Sequence, residues 1–353
     1  MASGEPILYS LYVYAPNKWA PIVFIVLYGV SAVFHVWQCY RYKAFKLIGL
    51  HPACAILFTA GYSLREWGSY NYLYSKSTIA PLLVFIFSQV FIYVCPPLLE
   101  LANYHVLGRI FYYVPHCAPL PPGNVLAIFG GLMAVVELLN ALGVSMSANP
   151  ASKPQTQTLG SHLTVAAIGI QVALIITFVC LAALFHSRVS RTKIRSRSVT
   201  TMLFVLYTSM ALIFVRCIYR LVEHTGSTKV DLDNMEALRQ LSPILRYEVY
   251  FYIFEATLML VNSLIWNIWH PGRFLPREYN VYLAPDGVEV EGERDVDARP
   301  LWARLANVFT FGIFFRRKRR PQDQSIKLRG RSQSNGTSGE QASSLLSPLA
   351  GTK

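Results

Sequence analysis

Charged side chains are scarce in this chain of 353 residues. Asp, Glu, Lys and Arg make up only 14% of the sequence, whereas apolar residues make up 53%. A soluble globular domain carries about 25% charged residues. Because long apolar runs also recur, the composition predicts a polytopic membrane protein rather than a soluble protein with a large core.

Several motifs of catalysis and cofactor binding are also absent. There is no GxxxxGK[ST] loop to hold ATP phosphates, no HExxH or HxxxH pair and no GxSxG elbow. The six cysteines are scattered and form no CxxC pair, so no disulfide framework is indicated. We therefore predict no enzymatic activity, no cofactor and no bound metal. An intramembrane zinc hydrolase is a poorly supported alternative, and it would predict tightly bound zinc.

Seven apolar runs are long enough to cross about 30 Å of hydrocarbon. We therefore predict an all-α integral membrane protein with seven transmembrane helices. The runs cover residues 20–39, 47–64, 79–101, 125–146, 163–185, 200–222 and 247–269.

The distribution of basic residues predicts the orientation. Lys and Arg number nine in the loops after the first, third and fifth runs, against six in the other three loops. Basic loops stay in the cytoplasm, so we predict an outside amino terminus and a cytoplasmic carboxyl terminus. The first fifteen residues lack the features of a cleavable signal peptide, and the first span is expected to act as its own insertion signal. The expected divisions are a short extracellular terminus (1–19), the seven-helix domain (20–272) and a cytoplasmic tail (273–353).

The tail combines an aromatic and aliphatic segment, residues 300–315, with a basic block at residues 316–320. This pattern predicts either an amphipathic helix held by anionic lipid of the inner leaflet or an unstructured tail with a sticky patch. The Ser-, Gly- and Gln-rich remainder is typical of disorder. The net charge of +13 therefore indicates membrane contact, not a nucleic-acid partner.

Charged residues also occur inside the predicted spans. Arg216, Tyr219, Arg220 and Glu223 are three or four residues apart and share one face of a helix. Such charges cost roughly 3 kcal/mol each unless they are paired or reach the interface. A rise of about 1.5 Å per residue places charged residues of four runs in the outer half of the bilayer. They are Arg65, Glu66, Glu137, Arg216, Arg220, Glu248 and Glu255.

Three interpretations of this outer set stay open. The charges are structural ion pairs, or a binding site for a polar or amine headgroup, or they include a carboxylate (Glu137 or Glu255) that couples transport to protons. The candidate substrate-binding residues are Arg65, Glu137, Asn140, Arg216, Tyr219, Arg220, Glu223 and Glu255.

A second polar set falls in the inner half, beside the helix-breaking pair Pro96 and Pro97. It favours either a cytoplasm-facing cavity or packing around a kinked helix. Its members are His35, His51, Glu100 and His105.

Short motifs recur in a fixed order along the chain: YAP, GYSLRE, YHVLGRI, RCIYRLVE, YEVYFYIFEA and HPGR, at residues 14–16, 61–66, 104–110, 216–223, 247–256 and 270–273. In order and spacing they resemble the fungal lipid-translocating exporter family, seven-span proteins linked to sphingoid-base export and aminocholesterol resistance. The chain departs from the family pattern in the fourth run, where Glu137, Asn140 and Val144 replace the usual Asp, Ser and Gln. Glu255 likewise replaces an Asp that is common in the seventh run.

The resemblance implies a multi-pass transporter or translocase that exports or flops sphingoid long-chain bases or related amphiphiles. Such a protein confers resistance to toxic lipids or drugs. It implies the plasma membrane as the location, with another endomembrane as the alternative. A receptor-like lipid sensor, whose loop at residues 188–197 meets a cytosolic partner, is the alternative function.

Overall fold

The structure is a computed structural model that describes residues 5–74, 78–148, 154–192, 196–226, 234–276, 278, 280–284 and 288–291. Helices dominate these residues. The α-helices are α1 (Ala20–Tyr42), α2 (Phe45–Ile48), α3 (Leu50–Tyr70), α4 (Ala80–Tyr113), α5 (Pro122–Ala148), α6 (Pro154–Arg191), α7 (Arg197–Thr225), α8 (Met235–Arg239), α9 (Pro243–Arg246), α10 (Glu248–Phe251) and α11 (Leu258–Ile268). A π-helical turn, Tyr252–Thr257, joins α10 to α11, and a short 3₁₀ turn covers Pro271–Arg273.

Six helical segments of the described residues are long and apolar enough to cross a membrane. This finding confirms a helical, multi-pass membrane protein. The six segments are Ala20–Tyr42, Ala80–Tyr113, Pro122–Ser147, Gln155–Arg191, Arg197–Thr225 and Glu248–Arg273.

Helix α3 corresponds to the second predicted span but does not reach the apolarity of the other six. Its 21 residues measure about 31 Å, which is enough to span the hydrocarbon. It packs against α1 and α4, and ten of its residues are buried, including His51 and Arg65. A helix that faces protein on most sides tolerates polar residues that lipid would exclude, which explains its weaker hydropathy.

Two helices are much longer than the apolar runs predicted. Helix α4 has 34 residues and α6 has 38, because a helix satisfies its own backbone hydrogen bonds and continues beyond the apolar region. Arg109, which is the basic residue that we counted in the loop after the third run, therefore lies within α4. Its Nη2 donates to the carbonyl oxygens of Pro276 and Glu278 at 2.7 and 2.6 Å.

The long helices form two groups that share α4 and α7. Helices α4, α5, α6 and α7 contact one another in that cyclic order. On the other side, α11 contacts α7, α1 and α3, and α3 contacts α4. Large apolar side chains such as Val26, Val33 and Phe34 of α1 are exposed along the outside, as lipid contact requires.

The two ends of the bundle are built differently. At one end, residues 5–19 pack against α8 and α9, with Tyr12, Val13 and Leu238 in a shared apolar cluster. We call this end, and the residues that cover it, the cap. At the other end, β1 (Val281–Leu283) and β2 (Glu289–Glu291) form an antiparallel hairpin with Val281 opposite Glu291, a small departure from the all-α prediction. The tail segments predicted at residues 300–320 and beyond lie outside the described residues.

Candidate functional site

Arg65 lies at the cap, almost completely buried on α3. Its Nη2 donates to Oε1 of Glu248 at 3.0 Å and to the hydroxyl of Tyr14 at 3.1 Å, and its guanidinium lies 4.2 Å from the ring centroid of Phe251. Burial raises the pKa of the Tyr14 hydroxyl, which therefore remains protonated. The charge of Arg65 is thus matched by a carboxylate and by aromatic faces.

The partner of Arg65 also fixes the amino-terminal segment. Oε2 of Glu248 accepts from the backbone N–H of Asn17 at 2.7 Å. The side chain of Asn17 in turn accepts from the N–H groups of Trp19 and Ala20, at the start of α1. One carboxylate therefore ties the seventh predicted span to α3 and to the segment that precedes α1.

Arg216 of α7 forms a second buried ion pair. Its Nε donates to Oε1 of Glu255 at 2.8 Å, and both side chains are almost inaccessible. Glu255 lies in the π-helical turn, where Oγ1 of Thr257 donates to the carbonyl of Tyr252 five residues earlier. Single π turns inside α-helices are frequent at functional sites, because they reorient one side chain without ending the helix.

Arg220 lies one turn nearer the cap than Arg216. Its Nη1 donates to Oε2 of Glu223 at 2.6 Å, its Nη2 is 3.0 Å from Nε2 of His224, and its guanidinium lies 4.3 Å from the centroid of Tyr93. Tyr219 stacks on Phe254 with a centroid distance of 5.3 Å. The shared helix face predicted for residues 216–223 therefore divides its contacts among α4, the π turn and its own helix.

Glu137 of α5 is half-buried, with the side chain of Asn140 beside it. It is close enough to Arg216 and Arg220 to feel their charges, although no ion pair with either is formed among the described residues. The fourth-run residues are therefore electrostatic neighbours of the arginines rather than their direct partners.

A cavity of about 840 Å³ opens at the cap. Residues of the amino-terminal segment, α3, α4, α5, α6, α7 and the region 244–251 line it. Three candidate residues belong to the lining: Arg65, Tyr219 and Glu223. The others lie behind or below it: Arg220 contacts the lining residues Glu223 and Tyr93, whereas Arg216, Glu255, Glu137 and Asn140 are deeper.

The cavity has mixed chemistry. Its walls include aromatic rings such as Tyr93 and Phe251, and polar groups such as Gln89, His162 and His224. Its volume falls within the range of about 300–1,000 Å³ that is usual for small-molecule sites. The site can therefore hold a polar group against aromatic walls near the end of the bundle.

Glu100 has close contacts that the sequence did not predict. We grouped it with histidines of the inner half, but it is fully buried between α4 and α6, where Nε2 of Gln171 donates to it at 2.8 Å. The hydroxyl of Tyr104 donates to its other oxygen. It also feels the charges of Glu137 and Arg216, so it belongs electrostatically with the candidate set. The spacing of four residues between Glu100 and Tyr104 was the signal available in the sequence.

Two of the inner histidines, His35 and His51, form a separate polar group. Nε2 of His35 is 3.1 Å from Oγ of Ser263, and the ring centroids of His35 and His51 are 5.6 Å apart. The ring of His51 lies 5.1 Å from that of Trp266, whose Nε1 donates to Ser209. These contacts pack α1, α3, α7 and α11 together.

Together, the helices, the buried ion pairs between them and the cavity at the cap define a multi-pass helical membrane protein with a charged interior. Residues 52–278 match the family described as RTA1-like protein. Since the match covers more than half of the chain, this protein belongs to the RTA1-like family. The family resemblance seen in the motifs is confirmed.

Three relatives of this chain have names that describe lipid exporters or transporters. The chain is 56% identical over 318 residues to a lipid-translocating exporter-like protein RTA1 of Leptosphaeria maculans, covering 89% of this chain and 61% of that protein. It is 25% identical over 291 residues to a probable lipid transporter, atnI, of Emericella nidulans, covering 75% and 68%. It is 24% identical over 315 residues to the sphingoid long-chain base transporter RSB1 of Saccharomyces cerevisiae, covering 78% and 77%. No solved structure matches the chain significantly.

Proposed function

We propose that this protein is a lipid transporter, not an enzyme, and that it moves single-chain amphiphiles across the membrane. Sphingoid long-chain bases are the first class to test, and export or flopping that protects against toxic lipids is the expected outcome. The observation that carries the proposal is the 840 Å³ cavity at the cap, with Arg65, Tyr219 and Glu223 in its lining. The names of the three relatives support the same activity.

In this proposal the headgroup enters the cavity while the chain stays among apolar side chains. Glu223 accepts hydrogen bonds from the headgroup, Tyr219 and Tyr93 enclose it, and Arg65 supports the wall from α3. Arg216, Arg220 and Glu255 hold α7 against the π turn, and Glu137 with Asn140 continues the polar surface below. Charged groups at such depth are usually functional in membrane proteins.

We further propose that α3 also crosses the membrane, which brings the number of spans to seven. The cap then faces outside and the hairpin end faces the cytoplasm. The basic loops support this orientation. The plasma membrane is the proposed location. The basic block at residues 316–320 is proposed to contact anionic lipid of the inner leaflet, where each Lys or Arg contributes about 1 kcal/mol.

Reconstitution tests the transport. Purified full-length protein in vesicles is expected to move a fluorescent sphingoid base between leaflets. The movement is measured as the fraction of probe fluorescence that a quencher of the outer leaflet removes. Glu223→Gln is expected to slow this movement about tenfold, equivalent to about 1.4 kcal/mol. Glu236→Gln, at an exposed position of α8, is the matched control and keeps the wild-type rate.

Two outcomes would reject the proposal. Wild-type protein that binds the lipid but does not move it favours the receptor-like alternative. Equal rates in protein-containing and empty vesicles, with no binding, remove lipid movement altogether.

A further inference from the structure

Beneath the cavity, three helices carry a second polar layer. The cavity is lined on α4, α5 and α6 by Tyr93, Val144 and Thr164. On the same three helices, Glu100, Glu137 and Gln171 each lie seven residues from one of these lining residues, in the direction away from the cap. Seven residues are two helical turns, so each lies on nearly the same face and about 10 Å deeper. We call these three residues, with Tyr104, the mid-membrane layer.

Glu100 is the centre of this layer. It is 0% exposed, and its two oxygens accept from Gln171 and Tyr104, which are neutral donors. Among the described residues, no Lys, Arg or His forms an ion pair with it. A carboxylate in this position differs from Glu248, Glu255 and Glu223, each of which has its own arginine.

The charges around the layer do not balance. Four charged groups lie near the thiol of Cys217: the guanidinium of Arg216 and the carboxyl groups of Glu100, Glu137 and Glu255. That guanidinium is bonded to Oε1 of Glu255. The nearby Arg220 is bonded to Glu223. When all three carboxyl groups are ionised, the region carries surplus negative charge within the membrane.

An independent observation points to a missing donor. Oε2 of Glu255 is buried and has no hydrogen-bond partner within the described part of the chain. An unpaired acceptor on a charged group is costly in a region without bulk water. A proton or an ammonium group beside Glu255 would supply both the donor and the charge.

We propose that the mid-membrane layer binds a positive charge during the transport cycle, with Glu100 as the principal ligand. This inference rests on the proposed transport function and gives it a second, deeper site below the cavity. The charge comes either from a proton or from the ammonium headgroup of the transported lipid. Besides Gln171, the groups that face Glu100 are Tyr104 on its own helix, Glu137 from α5, and Arg216 and Cys217 from α7.

The experiment separates these two sources. Vesicles containing full-length protein receive a fluorescent long-chain amino alcohol or its uncharged N-acyl counterpart, with and without a proton gradient. Wild type, Glu100→Gln and the control Glu236→Gln are compared. If the lipid supplies the charge, Glu100→Gln slows the amine about tenfold or more but not the uncharged probe. If the proton supplies it, wild-type rates follow the gradient and Glu100→Gln removes that response.

The inference is overturned if folded Glu100→Gln matches wild type with both probes under both conditions. Where Glu100→Gln elutes as an aggregate, Gln171→Leu replaces it, since this variant retains the carboxyl group but removes a donor. Gln171→Leu is then expected to show the same pattern of loss, and wild-type behaviour in that variant overturns the inference equally.

A measurement that does not depend on transport distinguishes failure of this site from failure of the proposed function. Infrared difference spectra of the purified protein, on a pH step or on addition of the amine, are expected to contain a carboxyl signal that disappears in Glu100→Gln. If wild type moves neither probe but shows this signal, the transport proposal fails and the site stands. If the signal is unchanged in the variant, the site fails whatever the transport result.

Discussion

At the scale of single residues, the arginines inside the helices have specific and different partners. Arg65 contacts Glu248, which is 183 residues away, and Arg216 contacts Glu255, which is 39 residues away. Arg220 is paired locally with Glu223 on its own helix. The first two pairs therefore fasten the seventh predicted span to two other helices, whereas the third shapes the cavity wall.

We expect loss of one partner of the Arg216–Glu255 pair to destabilise the protein more than loss of both partners. Arg216→Leu leaves a buried carboxylate without its partner and should cost about 3–5 kcal/mol. The double variant Arg216→Leu/Glu255→Leu removes both charges and should recover most of that loss. Thermal unfolding of the purified protein, followed by size-exclusion fluorescence, measures both effects.

Arg191→Leu, at an exposed position near the end of α6, is the control for loss of one positive charge and should behave like wild type. A double variant no more stable than Arg216→Leu would contradict the expectation.

At the scale of elements, α5 and α6 approach unusually closely where two glycines meet. A Cβ atom on Gly160 would lie 2.7 Å from the carbonyl oxygen of Gly143 and 2.7 Å from the backbone nitrogen of Ser147. Both are backbone atoms, which cannot move without shifting a helix. Small residues permit this type of contact between membrane helices.

Gly160→Ala is therefore expected to force α5 and α6 apart and to destabilise the protein by about 1–3 kcal/mol. Gly169→Ala, on the same helix, places its Cβ where nothing lies within 4 Å. It should instead be neutral or stabilise by up to about 1 kcal/mol, since glycine is a poor helix former. Thermal unfolding of the two variants side by side tests the contact, and equal melting temperatures would refute it.

The same close contact borders the cavity, because Val144 and Ser147 of α5 and Thr164 of α6 belong to its lining. Separating the two helices should change the cavity as well as the stability. At the opposite end of the bundle, the length of α4 brings Arg109 within hydrogen-bonding distance of the carbonyl groups that precede the hairpin.

At the scale of the whole molecule, the number of spans decides where the two ends lie. If α3 crosses the membrane with the six more apolar segments, the amino and carboxyl termini are on opposite sides. If it does not, they are on the same side. Its length and its place between α1 and α4 favour crossing.

Epitope tags test this arrangement in intact cells. A tag at Met1 should bind antibody without permeabilisation, whereas a tag after Lys353 should require it, because basic loops retain the carboxyl-terminal side in the cytoplasm. The doubly tagged protein serves as its own control after permeabilisation, when both tags must react. Equal reactivity of both tags in intact cells would exclude seven spans.

The sequence alone determined the class of the protein and the positions of its long helices, because apolar length and helical periodicity are local properties of the chain. It also placed charged residues such as Arg216 and Glu255 inside the helices, although it left Arg109 in a loop, and it showed which motifs identify the family. It could not give the true length of α4 or α6, since helices continue through segments that are no longer apolar.

Only the tertiary structure decided which residues act together. Residue spacing placed Arg216 and Glu223 on one face, yet Arg216 pairs with Glu255 across helices because a π turn brings that carboxylate towards α7. Nothing in the sequence near Glu100 identified Gln171 as its donor, as the two are 71 residues apart. Partner choice depends on how the helices cross, and this depends on packing along the entire chain.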